Sequence, residues 1–209
     1  MKSILKPLTV YFIAVLAVAL MRYSEVKGSS VLIPLVWGLG ALLFGAREES
    51  VTSLAGLTRP HLAISLRYYL LSTIIIFPII GGGFWLYYRS GTLPPTFVVP
   101  AGVSIGEWIL YQFLMVATFE ELFFRGYLQK QFEGISSSIF SGKMAKFWHP
   151  VVGSAFLFAL AHVIVELDPL RFATLFPGLL FAWLRARTGS LIAPVLSHGS
   201  ANVFALFFL

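Results

Sequence analysis

Seven apolar stretches, set apart by charged or Pro/Gly-rich breaks, constrain this 209-residue chain more than any single motif. They fall at residues 7–21, 30–46, 62–88, 104–131, 151–167, 170–184 and 190–209. A helix that crosses a bilayer needs about 20 consecutive, mostly apolar residues. Hydrophobic residues make up 58% of the chain and charged ones 11%, against about 45–50% and about 25% in a soluble domain. One soluble core of this length cannot hide that excess. The expected fold is therefore all-α, a polytopic transmembrane bundle of about seven spans, with residues 1–209 forming a single domain.

The breaks carry further expectations. Residues 90–103, with Pro94, Pro95 and Pro100, read as a loop, and so do residues 133–150, rich in Ser and Gly. Residues 47–60 are polar on one side and read as an interfacial helix. The sixth stretch is short for a full span, so a tilted, re-entrant or longer helix is expected there. Gly81-Gly82-Gly83 after Pro78 reads as an interruption of the third. The first stretch resembles a signal peptide. It lacks a small-residue cleavage site, since Met21-Arg22-Tyr23 follows it, and is expected to be retained.

The formal charge of +6 is spread along the chain instead of gathered on one amphipathic segment. That argues against nucleic acid as a partner and for a record of topology. With seven spans, Lys2, Lys6, Arg47, Arg59, Arg67, Lys130, Lys143, Lys146, Arg185 and Arg187 fall on the N-terminal side of the bilayer. Arg22, Lys27, Arg89 and Arg171 fall on the other, and Arg125 lies inside a span. Ten against four puts the N-terminus in the cytoplasm by the positive-inside rule. The chain has no cysteine, which removes disulfides, thiolate metal sites and cysteine-protease chemistry.

Within this apolar frame a few polar residues stand out. A charge at the bilayer centre costs at least about 2.5–3.5 kcal/mol and is rarely placed there without a partner or a task. The fourth stretch nevertheless holds Glu120, Glu121 and Arg125. Glu121 and Arg125 are four apart and share a helical face, whereas Glu120 projects about 100° from Glu121. The expected division is one carboxylate neutralised by Arg125 and the other facing a cavity, not both facing one site. A structural Glu-Arg pair explains two of these residues and leaves the second glutamate unexplained.

The fifth stretch places His162 mid-helix, with Phe158 one turn earlier and able to wall one side of its ring. A lone histidine there is more often a bridging group than a catalyst. The last stretch places His198 and Asn202 on one face, with Gly199, Ser200 and Ala201 between them. Small residues serve helix packing in membranes; that does not account for His198 and Asn202. Nothing comparable occurs in the first three stretches.

Two hydrolytic chemistries suit this set. In one, a glutamate activates water, one histidine orients it, and His plus Asn stabilise an oxyanion. In the other, the glutamate and two histidines hold zinc with a position open for water, although the zinc-protease pattern of two histidines four apart around a glutamate is absent. Serine catalysis fits poorly. Ser197 and Ser200 are too near His198 in sequence, and Asp168 lies in a loop. A non-enzymatic alternative is a proton-coupled transporter or a bacteriocin-immunity factor using the same buried groups as a relay. A transporter is expected to show repeated topology or paired broken helices, and the sequence shows neither.

Glu120-Glu121-x-x-x-Arg125, Phe158-x-x-x-His162 and His198-x-x-x-Asn202, in successive apolar segments, resemble the CPBP intramembrane endopeptidases. These include the type II CAAX prenyl endopeptidases and relatives linked to bacteriocin processing. The run Thr188-Gly189-Ser190-Leu191, with Pro194 and Val195 before His198, resembles that family's approach to its last motif. The likeness covers residues 104–209, the motif-bearing helices; residues 1–103 carry no motif of that family. It implies Glu120 as the water-activating base with His162 beside it, and His198 with Asn202 as the oxyanion pair. Glu121, Arg125 and Phe158 would support the site. It further implies a conical cavity open to the cytoplasm and to lipid, a membrane-associated peptide or protein as substrate, and the cytoplasmic membrane of a bacterium or archaeon. No cofactor is implied, with zinc as the alternative.

Overall fold

The computed structural model describes residues 4–24, 27–45, 55–56, 59–89, 99 and 102–205. Among these, seven long helices and no strand appear: α1 (Leu5–Tyr23), α2 (Ser29–Gly45), α3 (Arg59–Arg89), α4 (residues 105–139), α5 (Lys143–Glu166), α6 (Leu175–Thr188) and α7 (Ile192–Ala205). The all-α bundle expected from hydropathy is the fold. By length and composition, Leu5–Tyr23, His61–Ile79 and Lys143–Glu166 can each cross a membrane, and α2 is a shorter apolar helix.

Burial runs opposite to that of a soluble protein. Glu121, Arg125, Gln129, Ser154 and His198 are buried, while Leu16, Leu20, Leu39, Leu70, Ile74 and Leu114 face outward. Such a surface is stable only against an apolar solvent, and the internal polar groups then need partners within the protein.

Helix α4 is the axis of the bundle. Ser104 caps it through a reciprocal capping box: its hydroxyl accepts from the Glu107 amide, and the Glu107 carboxylate accepts from the Ser104 amide at 2.8 Å. The helix then passes through two π-helical stretches, Gln112–Ala117 and Leu122–Gln129, with the four-residue α-segment Thr118–Glu121 between them. Such i→i+5 turns are uncommon and concentrate at functional sites. α2, α5, α6 and α7 surround α4, and α1 closes the far side by packing on α2 and α5.

Tyr11 and Tyr23 on α1 donate to the carbonyls of Leu157 and Val165 on α5, at 2.9 and 3.0 Å. The two helices therefore run parallel, and Arg22 and Glu166 share the end opposite Leu5. At Leu5's end, the Arg187 guanidinium lies over the Phe147 ring, tying the close of α6 to the start of α5. Packing of α2 on α4 depends on glycine. A Cβ on Gly38 would enter the Phe119 ring, and one on Gly40 would lie 2.9 Å from Phe123. Gly38→Ala is expected to cost about 1–3 kcal/mol by overpacking. Thermal melting in detergent measures this, and an unchanged midpoint would show that α2 has room to move.

The structure corrects several boundaries. Residues 133–150 are not one loop: α4 continues to Ile139, and α5 begins at Lys143. The serines do not break the helix, because Ser137 and Ser138 donate back to the carbonyls of Glu133 and Ile135. Pro150 sits inside α5 without ending it. The sixth helix starts later than residue 170, since Pro169–Thr174 forms a 3-10 turn capped by Asp168 and α6 follows from Leu175 to Thr188. Gly189, at φ 68°, then takes the left-handed conformation that stops α6. Pro78 and the glycines after it leave α3 helical throughout; the missing side chain at Gly81 admits the Phe204 ring of α7, whose Cζ would stand 3.0 Å from an added Cβ. Most of residues 47–60 and of the expected loop at 90–103 lie outside the described residues.

Candidate active site

The short α-segment between the two π-helical stretches carries Glu120 and Glu121, and α7 delivers His198 to both. His198 Nδ1 lies 2.8 Å from Glu121 Oε1, and its Nε2 lies 3.8 Å from Glu120 Oε2. The expectation that the two carboxylates cannot face one site is thereby corrected. They diverge along the helix, but an imidazole has two nitrogens on different edges, and each edge meets one glutamate. Because the Glu121 carboxylate accepts, Nδ1 carries the proton and donates it, and Nε2 is turned toward Glu120.

Glu121 has a second partner. Arg125 Nη1 donates to the same Oε1 at 3.0 Å, and both side chains are fully buried. Arg125 Nη2 donates to the Gly178 carbonyl of α6 at 3.0 Å, and the guanidinium lies 4.4 Å from the centre of the Phe158 ring of α5. One cation thus ties three helices together. Phe158 also meets both imidazoles, His162 at 4.4 Å and His198 edge-on at 5.7 Å between ring centroids. On the other side of His198 the ring of Phe181 stacks at 4.9 Å and 12°. His198 is left with little freedom except along the Glu120–Glu121 line.

His162 donates from Nδ1 to the Phe158 carbonyl at 2.9 Å, which leaves Nε2 as its acceptor. It shares with Glu120 a cavity of about 140 Å³. Trp37 and Phe124 wall the buried part, while Arg22 and Glu166 stand at the open end. Glu120 Oε2 is buried and has no hydrogen-bond partner among the described residues. A buried carboxylate oxygen without a protein partner, beside a cavity of this size, is a place for water. A second cavity of about 720 Å³, largely apolar, is lined by Phe77, Phe176, Leu180, Phe181 and Phe204 and reaches Ser197 next to His198.

Asn202 stands one turn beyond His198, and its amide donates to Gln112 Oε1 at 2.9 Å, linking α7 to the first π-helical stretch of α4. The structure thus gathers Glu120, Glu121, Arg125, Phe158 and His198 around one imidazole, with His162 across Phe158 and Asn202 held by Gln112. Sequence reading missed Phe181, Gln112 and the Gly178 carbonyl. Gln112 was findable as a polar residue in an apolar stretch, like Gln129, which donates to the Ala182 carbonyl at 3.0 Å. Phe181 carried no such signal among 20 phenylalanines. Of the serines beside His198, Ser200 is 2.9 Å from the Tyr69 hydroxyl, and Ser197 is buried with no partner among the described residues.

A catalytic zinc site requires three protein ligands converging at about 2.0–2.2 Å. Among the described residues no three His, Asp or Glu side chains converge in that way. Nδ1 of both histidines is also taken, by Phe158 and by Glu121.

Arg22 and Glu166, which line this cavity, lie at the end of α1 and α5 opposite Leu5.

A helical bundle with an apolar exterior, buried polar groups and helices long enough to cross a bilayer is the architecture of an integral membrane protein. Residues 102–204, about half the chain, match the family described as type II CAAX prenyl endopeptidase Rce1-like. This stretch carries that family's domain, within the CPBP endopeptidases, and the domain is that of a CAAX-type intramembrane protease in general terms. Neither a curated protein nor a solved structure matches it.

Proposed function

We propose that the protein hydrolyses a peptide bond of a membrane-associated substrate with water activated by Glu120. The observation that carries this reading is the buried, unpartnered Glu120 Oε2, 3.8 Å from His198 Nε2 at the edge of the cavity shared with His162. A gap of that size is too long for a direct hydrogen bond, and one water spans it. Glu120 takes a proton from that water as the water oxygen bonds to the scissile carbonyl carbon. The carbonyl oxygen, now an oxyanion, meets the Asn202 amide hydrogen that Gln112 does not take. Collapse of the intermediate breaks the C–N bond, and Glu120 returns the proton to the leaving amine. Glu121 and Arg125 hold the imidazole in register. The larger apolar cavity behind His198 supports substrates that carry a lipid-like chain or an apolar anchor.

Protein reconstituted in liposomes is expected to cleave membrane-anchored peptides and to keep that rate after incubation with a chelator. Loss with chelator and recovery with zinc would overturn the metal-free reading.

The basic residues mark the end of the bundle that carries Lys6, Lys143, Lys146, Arg185 and Arg187 as cytoplasmic. We therefore read the cavity as opening on the other face of the membrane. The natural absence of cysteine allows a direct test. In intact cells, Lys27→Cys is expected to react with a membrane-impermeant maleimide and Lys146→Cys to stay unlabelled. The reverse pattern would place the N-terminus outside and the cavity toward the cytoplasm.

A further inference from the structure

We propose that Arg22 is a specificity-determining residue that anchors a carboxylate of the substrate at the cavity mouth; this rests on the peptidase reading above. The rim of the Glu120 cavity holds two charged residues, Arg22 from α1 and Glu166 from α5. Glu166 is already committed, since Arg171 Nε lies 2.8 Å from its Oε2, and Asp168 adds a weaker contact at 3.9 Å to the same guanidinium. Arg22 has no ion pair among the described residues and is exposed. It stands in the last turn of α1, where a cation opposes the helix dipole. That benefit is available to any residue in the turn. It does not explain why this one lines the same cavity as Glu120 and His162.

The cavity is therefore polarised along its length, with an unopposed guanidinium at the mouth and the carboxylate of Glu120 inside. An anionic group on an entering peptide is repelled by the interior and held at the rim, where the planar fork of arginine donates two parallel hydrogen bonds to a carboxylate. Reach is also right. Glu166 is one helical turn from His162, about 6 Å along α5. An extended peptide covers that distance in about two residues. A peptide held by its terminal carboxylate at Arg22 thus presents a bond close to that terminus to Glu120. Arg22 lies outside residues 102–204, so this element of recognition comes from the half of the chain that the family match does not cover.

The test uses reconstituted full-length protein and three versions of one cleavable membrane-anchored peptide: a free C-terminal carboxylate, a C-terminal amide, and an amide with aspartate as its last residue. Wild type is expected to show a KM about tenfold lower for the free carboxylate than for the amide. In Arg22→Gln that KM ratio is expected to fall to about one, with kcat for the acid peptide within about twofold of wild type. Arg22→Lys should restore part of the ratio. A low KM for the aspartyl amide that also depends on Arg22 would assign the site to carboxylates generally; a KM equal to that of the plain amide would assign it to the chain terminus. A KM ratio near one in wild type, a ratio unaltered by Arg22→Gln, or an equal loss for acid and amide would overturn the proposal. If wild type cleaves none of the three peptides, the peptidase reading fails first and takes this inference with it.

Discussion

Glu120→Gln is expected to lower peptide cleavage by about 10²–10⁴-fold, the usual share of a general base, while the protein stays folded. Glutamine keeps the shape of the side chain and cannot accept the proton. The replaced Oε2 has no hydrogen-bond partner among the described residues, so no hydrogen bond of that oxygen is broken. Turnover and stability should therefore separate, with kcat falling and the melting midpoint staying close to wild type. Glu121→Gln should not separate them, because Glu121 Oε1 serves both Arg125 and His198. Cleavage by Glu120→Gln at the wild-type rate would remove Glu120 from the chemistry altogether.

The largest effect on stability is expected at Arg125. Truncating it to methionine leaves Glu121 as a fully buried charge, whose best remaining partner is His198, and abandons the Gly178 carbonyl. Breaking a buried ion pair from one side costs about 3–5 kcal/mol, which for a chain of this length is a drop of roughly 6–20 °C in midpoint. The double variant Glu121→Gln with Arg125→Met removes both charges and should regain a good part of that loss, since the remaining groups are neutral. Equal melting of wild type and Arg125→Met in detergent would show that the pair contributes little to the fold. Cleavage should fall in both variants, because the anchor of His198 is changed in each.

Much of the architecture was legible because hydropathy is local. The apolar runs located all seven helices, and the four-residue spacing of Glu121 and Arg125 foretold an ion pair that does form. The errors arose where composition and backbone disagree. The serines at 136–138 look like a loop but hydrogen-bond within the helix or across to α5, where Ser136 donates to the Ala145 carbonyl at 3.4 Å. The glycines after Pro78 look like a break, but the helix continues through them and Gly81 makes room for Phe204.

At the candidate site, legibility stopped at the single helix. That His198 would lie between the two glutamates depends on residues 77 apart in the chain, and no periodicity encodes that. Nor does any pattern mark the π-helical stretches that flank Glu120 and Glu121. That α1 runs parallel to α5 became visible only through the Tyr11 and Tyr23 hydrogen bonds.

The pairing of Glu121 with Arg125 inside one helix has a consequence for biosynthesis. A segment that leaves the ribosome and enters the membrane must do so before its neighbours exist. An ion pair between two helices cannot neutralise the first of them at that moment, whereas an i,i+4 pair enters already matched. The stretch from Glu120 to Arg125 thus carries one net negative charge into lipid instead of three separate charges. His198 arrives only with α7, after α4, α5 and α6 have been made. The imidazole that completes the cluster is synthesised after Glu120, Glu121, Phe158 and Phe181, the side chains it meets, so the cluster cannot assemble until α7 has entered the membrane.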